Sequence, residues 1–323
     1  MKASEAESFL LSALDSWLEA QLSARLIEFL QQLINGLSLG ACYALIALGY
    51  TMVYGVLRFI NFAHSDVFMV GAVTGFYLAR FVPEQSIWGG SFVLVGAMIT
   101  CALLGMLIER LAYRPLRSSP TLNVLITAIG VSLLLEYVFQ NEHVFGAAPR
   151  RFPKVFPATD VRIGDLVVSS NQITVIGVTL ALLVALRFIV LKTRIGTAMR
   201  AVALNPRAAL LVGINNDVIV SFTFALGSAL AGAGGVLYAL NYASIEPFMG
   251  VMPGLKAFVA AVLGGIGNIP GAALGGLILG MTETFVGGSE WSTYKDAIAF
   301  AVLILILLFR PAGLLGRFSV EKV

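Results

Sequence analysis

LKAFVAAVLGGIGNIPGAALGGLILGMTETFV, Leu255 to Val286, decides the fold of this chain. About twenty helical residues cross the hydrocarbon of a bilayer at 1.5 Å per residue. This stretch is longer than that, and Lys256 and Glu283 are its only charges. It is also interrupted by Gly264-Gly265-Ile266-Gly267-Asn268-Ile269-Pro270-Gly271. Glycine and proline there disfavour a continuous helix, so the stretch reads as two short helices meeting at a break. Irregular backbone at membrane depth is tolerated only inside protein or beside a cavity. Gly265 and Gly267 superficially begin a dinucleotide fingerprint, but no strand precedes them and Pro270 intrudes.

The rest of the chain agrees. Of 323 residues, 58% are hydrophobic and 12% charged, against roughly 25% charged in an ordinary soluble domain, which excludes a soluble enzyme. Further apolar segments run from Leu33 to Val56, Phe59 to Phe81, Trp88 to Leu111, Leu122 to Phe139, Ile173 to Leu191, Val218 to Tyr242 and Ala297 to Phe309. The expected fold is an all-α polytopic transmembrane bundle of eight to ten membrane elements, some broken or re-entrant. The formal charge of +3 is too small and dispersed to suggest nucleic acid.

Lysine and arginine crowd Arg110 to Arg117 and Arg187 to Arg207, and recur as Arg310, Arg317 and Lys322; the positive-inside rule makes all three regions cytoplasmic. Asn141 to Asn171, with Pro149, Pro153 and Pro157, then reads as a folded external loop. With the C-terminus inside, Leu255 to Val286 must enter and leave on the same side. In the first half the count stays open. A complete Phe59–Phe81 crossing puts the N-terminus outside unless Ser8 to Gln32 crosses too, whereas a re-entrant one leaves it inside but breaks parity. Residues 1–32 carry Glu5, Glu7, Asp15, Glu19 and Glu28 among leucines, which is wrong for a signal peptide. They read as an amphipathic surface helix or an extra span before a permease domain of 33–323.

Small residues four apart, Gly36 and Gly40, Gly71 and Gly75, Cys101 and Gly105, and Gly267, Gly271 and Gly275 beside Gly276 and Gly280, suit close intramembrane helix packing. Cys42 and Cys101 lie in apolar stretches and behave as small hydrophobes rather than as a disulfide or metal ligands. The intramembrane ionisable candidates are His64, Asp66, Glu109, Glu136, Lys256 and Glu283. Surface or pairing roles explain Glu109 and Glu136, and Lys256 can snorkel. His64 and Asp66, two apart, point to different sides of a helix, so hydrogen bonding within a helix break is preferred to a shared metal. Glu283 either caps an external gate or meets water. In the connection KTRIGTAMRAVALNPRAALLVGINND, Lys192 to Asp217, Asn205 can cap a helix and Pro206 fits its first turn. Ala208, Leu210, Leu211 and Gly213 offer a small apolar surface that needs a partner or the membrane.

The segments YALIALGYTMVYGVLRFINFAHSDVFMVGA (Tyr43 to Ala72), ERLAYRPLRSS (Glu109 to Ser119), RIGTAMRAVALNPRAALLVGIN (Arg194 to Asn215) and KAFVAAVLGGIGNIPGAALGGLILG (Lys256 to Gly280), with RPAGLLGR and EKV at the end, occur in one order. This chain resembles the H-type inner-membrane permeases of branched-chain amino acid ABC importers, from about Phe29 onward. The resemblance implies a multi-pass protein of the bacterial inner membrane. It also implies a second permease, two cytoplasmic ATPases carrying ATP and Mg, and a periplasmic amino-acid-binding protein. No G-x-x-x-x-G-K-[ST] sequence occurs in this chain, so ATP is expected elsewhere.

By the same resemblance, Asn205, Pro206, Arg207, Ala208, Leu211, Gly213 and Ile214 belong to the helix that enters the ATPase. Asn61, His64, Ser65, Asp66, Gly264, Gly265, Gly267, Asn268 and Gly271, at the two breaks, are the candidates for the translocation path. Ser65 departs from the family's FAHG pattern, which has glycine there. No catalytic residue, metal or cofactor is expected in this chain. The competing readings are a urea or short-amide permease, a proton-coupled secondary transporter using Asp66, His64 or Glu283, and an intramembrane enzyme. The last lacks a nucleophile and base pair, since His64 and His143 are the only histidines.

Overall fold

The computed structural model describes residues 2–117 and 119–316, with side chains from Gln21 onward. Arg317, Lys322 and the closing EKV lie outside the described residues. The helices are α1 (Lys2–Leu57), α2 (His64–Leu78), α3 (Ile87–Ile108), α4 (Thr121–Gln140), α5 (Ser170–Lys192), α6 (Arg194–Leu204), α7 (Pro206–Leu211), α8 (Asn216–Tyr242), α9 (Val251–Gly264), α10 (Ile269–Gly287) and α11 (Lys295–Phe309). Seven of them contain a stretch long and apolar enough to cross a membrane, and the shorter α2 and α9 bring the membrane elements to nine.

Helix α1 passes residue 32 without interruption, and from Ser38 to Val53 it is buried throughout. It runs antiparallel to α8: Asn241 Nδ2 donates to Ser38 Oγ at 2.8 Å near one end, and Gly49 meets Gly227 toward the other. The contacts of α1, α2 and α3 reappear in α8, α9 and α10. Helix α1 packs on α10 and α8 on α3, while α2 lies on α3 and α8, and α9 on α10 and α1. Because α1 and α8 run in opposite directions, the two triplets form an inverted arrangement, in which the middle helix of each is short and preceded by non-helical chain.

Missing side chains let these helices touch. A Cβ on Gly40 would lie 2.8 Å from Leu277 Cα, one on Gly276 2.5 Å from Ala44 N, and one on Gly71 2.5 Å from Gly232 Cα. The stripes on α1, α2, α3 and α10 are therefore packing surfaces, as their spacing predicts. Large apolar side chains of α3, α4, α5 and α11, such as Leu103, Leu134, Leu180 and Leu308, are exposed and form the outer wall.

The cationic connections collect on one face, with Arg114 and Arg117 near Asp217 at the start of α8. The opposite face carries the loop between α4 and α5, which is folded as expected. Phe145, Phe152 and Val155 are buried, β1 (Arg150–Arg151) pairs with β4 (Ser244–Ile245), and β2 (Asp160–Ile163) forms a hairpin with β3 (Leu166–Ser169). This placement resolves the parity of the first half. Helix α1 ends on the cationic face, α2 returns to the opposite face and α3 comes back, so α1 enters from the external side.

Candidate functional site

Three arrangements of polar groups stand out in a chain that is otherwise apolar. The first is the cytoplasmic corner of α6 and α7. Thr193 caps α6, and Asn205 Oδ1 accepts from Arg207 N at 3.0 Å and Ala208 N at 3.1 Å, capping α7 with Pro206 in its first turn. Gly213, at φ 84°, ends the turn, and its N–H donates to Leu210 O. Ala209 is the inward anchor, 2% exposed, whereas Leu211 is 88% exposed; Leu204, Leu210 and Val212 are exposed beside it. The sequence identified Leu211 but missed Ala209, Leu204 and Val212, whose helical phase relative to Asn205 was the available signal.

This corner is tied to the bundle. Arg200 donates to the Val190 carbonyl at the end of α5, Gly196 lies against the same turn, and Met199 and Val202 are buried. Asn216 Nδ2 donates to Pro206 O at 2.9 Å, joining α7 to α8. A push on α7 therefore reaches α8 directly and α5 through α6.

The second arrangement is the pair of helix breaks. At the first, Tyr113 OH donates to Asn61 Oδ1 at 2.6 Å, and Ser65 Oγ donates to Phe62 O at 2.8 Å. His64 and Asp66 diverge. The His64 ring meets Tyr50 edge-on at 4.8 Å and fills the space left by Gly49, while Asp66 accepts from Ser132 of α4 and lies within reach of Glu136. The room for Ser65 comes from Gly250 and Gly254 at the start of α9, whose added Cβ atoms would run into it.

At the second break, Gly264 and Gly271 are in backbone contact, and Gly265 and Gly267 have φ of 102° and 92°. Asn268 Oδ1 accepts from Gly271 N at 3.1 Å, and its Nδ2 donates to Leu315 O at 2.7 Å. Gly267 corrects one expectation: nothing lies within 4 Å of an added Cβ, so glycine is needed there for its dihedral angle and not for a close approach. Between the two breaks Tyr50, Tyr54 and Phe258 close the gap to about 10 Å³.

The third arrangement consists of two charge networks that the sequence did not assemble. Lys256 does not snorkel; it is buried, with Nζ 2.6 Å from both Glu283 Oε1 and Asp296 Oδ1. Tyr43 OH donates to Glu283 Oε2 at 2.8 Å, so α1, α9, α10 and α11 meet around the Lys256–Glu283 pair. Asp296, in the first turn of α11, sits at the favourable end of that helix's dipole.

On the cytoplasmic side the last turn of α3 widens into a π-turn, Glu109–Tyr113. Glu109, fully buried, accepts from Arg117 and Ser221, and Asp217 accepts from Arg114 and Arg117, the latter at 2.6 Å. Glu109 is therefore a paired residue, not a surface one. Among the described residues no group of three or more His, Cys, Asp or Glu is placed to hold a metal.

An apolar helical bundle with broken inner helices, inverted triplets and a capped helical corner at its cationic face fits a membrane permease. A family model described as the branched-chain amino acid transport system permease component matches residues 32–307. The chain is 43% identical over 312 residues to the high-affinity branched-chain amino acid transport system permease protein LivH of Escherichia coli K12, covering 94% of this chain and all of the relative. It is 42% identical over 302 residues to the corresponding BraD of Pseudomonas aeruginosa, covering 92% and 98%. A probable branched-chain amino acid transport permease protein LivH of Methanocaldococcus jannaschii is 30% identical over 294 residues, covering 84% and 88%. The chain belongs to the branched-chain amino acid transport system permease family, and it is a multi-pass protein of the inner membrane.

Proposed function

We propose that this chain is the permease subunit of an ATP-driven importer and forms the path for branched-chain and related neutral amino acids. One observation carries the reading: a capped helix presents Leu210, Leu211 and Val212 to solvent, an apolar knob that no described residue of this chain covers. An ATPase supplied by another subunit is the partner that such a knob fits. Two ATPases holding ATP and Mg, a second related permease and a periplasmic amino-acid-binding protein complete the assembly. The exposed apolar faces of α3, α4, α5 and α11 serve lipid and the second permease. Residues 33–323 act as the permease domain, with residues 1–32 as its helical extension.

In this reading nucleotide binding draws the ATPases together, and α7 follows. The motion passes through the Asn216–Pro206 hydrogen bond and the Arg200–Val190 contact into α8 and α5, shifting a two-state arrangement of the permease pair. A zwitterionic substrate with an apolar side chain needs no net charge along its path. Asn61, His64, Ser65 and Asp66, with the Gly264 to Gly271 break, remain the proposed lining. The relatives' names favour amino acids over the urea or short-amide alternative.

The test is ATP-driven uptake in proteoliposomes holding the full importer, with Leu211→Asp in this chain. The expected outcome is an inserted bundle with uptake lost and ATP hydrolysis no longer stimulated by the loaded binding protein. Normal coupled uptake in that variant would count against the docking assignment. Uptake that survives removal of ATP and collapses with an uncoupler would move the reading to a secondary transporter.

A further inference from the structure

Where α3 reaches the cytoplasmic face, an open groove of about 390 Å³ lies between its last turns and the start of α8. Helix α3 runs for 22 residues from Ile87 to Ile108. At 1.5 Å per residue that is about 33 Å, against a hydrocarbon layer about 30 Å thick. The π-turn that follows, Glu109–Tyr113, therefore sits at the level of the lipid headgroups of the inner leaflet. The groove has two chemically different parts. Arg110, Arg114 and Asp217 line its polar end. One turn deeper on each helix, Met106 and Phe222 give it an apolar floor, and the exposed Leu103 and Leu107 continue beside it toward the membrane.

At the polar end the charges do not balance. Arg117 is committed to Glu109 and to Asp217, its Nη1 lying 2.6 Å from Asp217 Oδ1. Arg114 meets Asp217 through Nη2 alone, and its Nε and Nη1 have no acceptor among the described residues. Arg110 is exposed and makes no hydrogen bond or ion pair among the described residues. Three guanidinium groups thus stand against two carboxylates, and Asp217 cannot cancel the surplus because it already bridges Arg114 and Arg117. The side chain of Arg114 is 39% exposed, so its spare donors are open to an anion from outside.

A surplus cation and spare guanidinium donors at headgroup depth, above an apolar floor, match a phosphodiester that carries acyl chains and a net negative charge. We propose that the groove between α3 and α8 holds an acidic phospholipid of the inner leaflet, with its phosphate on Arg110 and Arg114 and an acyl chain along Met106 and Phe222. A zwitterionic phospholipid brings its own cation and leaves the surplus charge uncancelled, so the net charge of the headgroup decides occupancy. The bound phosphate also ties the end of α3 to the first turn of α8 through Arg114, and Asn216 in that turn holds Pro206 of α7. The lipid thereby braces the element on which the α6–α7 corner rests. This site depends on α3 and α8 spanning the membrane and not on which substrate is carried.

The protein is purified in mild detergent with its co-expressed subunits, and two measurements are made. Native mass spectrometry counts the lipids retained: wild type is expected to keep one phosphatidylglycerol per copy of this chain that Arg110→Gln loses. Thermal unfolding of delipidated protein is then followed with added dioleoyl phosphatidylglycerol, dioleoyl phosphatidylcholine or inorganic phosphate. Only the first is expected to raise the midpoint, by several degrees. The rise is expected to shrink by at least half in Arg110→Gln, an exposed position with no partner to lose, and in Val218→Asp, which places an anion of the protein's own at the exposed edge of the groove. An equal rise with phosphatidylcholine, or an equal rise in both variants, overturns the proposal, since neither needs the surplus charge. Retention of the counted lipid in Arg110→Gln overturns it as well. An equal rise with inorganic phosphate removes the acyl chain from the site and overturns the lipid as its occupant. Both readouts stand whether or not the complex imports amino acids.

Discussion

Replacing Lys256 with methionine tests whether the external charge network holds the inverted bundle together. Lys256 and Glu283 are 6% and 8% exposed at the side chain, and Tyr43 is the other hydrogen-bond partner of Glu283. Removing the ammonium leaves a buried carboxylate with one phenol, and breaking a buried pair from one side costs about 3–5 kcal/mol. Asp296, at 42% exposure, adds about 0–1 kcal/mol because water screens it. Removing both charges as Lys256→Met with Glu283→Gln leaves no buried uncompensated ion, only the part-exposed Asp296, and such replacements are often neutral to within about 1–2 kcal/mol. The double variant should therefore be more stable than Lys256→Met alone by roughly 2–3 kcal/mol, the difference between those two figures. Unfolding in a graded mixture of mild detergent and dodecyl sulfate, read by loss of helical signal, gives all four corners of the cycle. Additive single effects, with no recovery in the double variant, would refute the claim that these two residues form a buried pair.

Other outcomes follow from close contacts and caps. Gly71→Leu should prevent α2 from seating on α8, read as loss of assembled protein on size exclusion, because even a Cβ would stand 2.5 Å from Gly232 Cα. Gly264→Ala and Gly267→Ala should separate clearly in thermal stability in detergent. The first drives a methyl group into the Gly271 backbone, whereas the second meets open space and costs only about 1–2 kcal/mol for its left-handed backbone. Asn268→Ala removes the cap of α10 and a tether to Leu315, and should cost about 1–2 kcal/mol, with earlier hydrogen exchange at Gly271 and Ala272.

What could be read from the sequence was whatever is local. Asn205 and Pro206 declare a helix start by their own chemistry, and the structure has α7 starting there. The glycine run at Gly264 marks a break because no helix tolerates it, and the structure ends α9 at Gly264 and starts α10 at Ile269. What could not be read depends on which helix lies beside which. Lys256 looked able to snorkel because Asp296 and Glu283 belong to other helices, and nothing in the chain order announces that α9, α10 and α11 meet there. Glu109 read as a surface or paired group without its full set of partners, because Ser221 arrives only with α8. The N-terminal segment was parsed at residue 32 by its charges, although the backbone continues through it as one helix. Gly267 was assigned a packing role by its place in a stripe, since spacing alone cannot distinguish a glycine needed for room from one needed for its dihedral angle.

The tether at Leu315 also bears on how the molecule is made. Leu314 N donates to Leu263 O at 2.8 Å and Leu315 N to Gly264 O at 3.1 Å, so the carbonyls freed where α9 stops are covered by chain from beyond α11. Gly265 and Gly313 press together at the same spot. During synthesis α9 and α10 enter the membrane well before residues 312–316 leave the ribosome. Until then the hairpin carries open polar backbone that only water, lipid headgroups or an insertion factor can satisfy. Closure of the α9–α10 turn is thus a late event in biogenesis, and a chain terminated and released after Arg310 should form a bundle whose Leu263 and Gly264 region stays open to proteolysis.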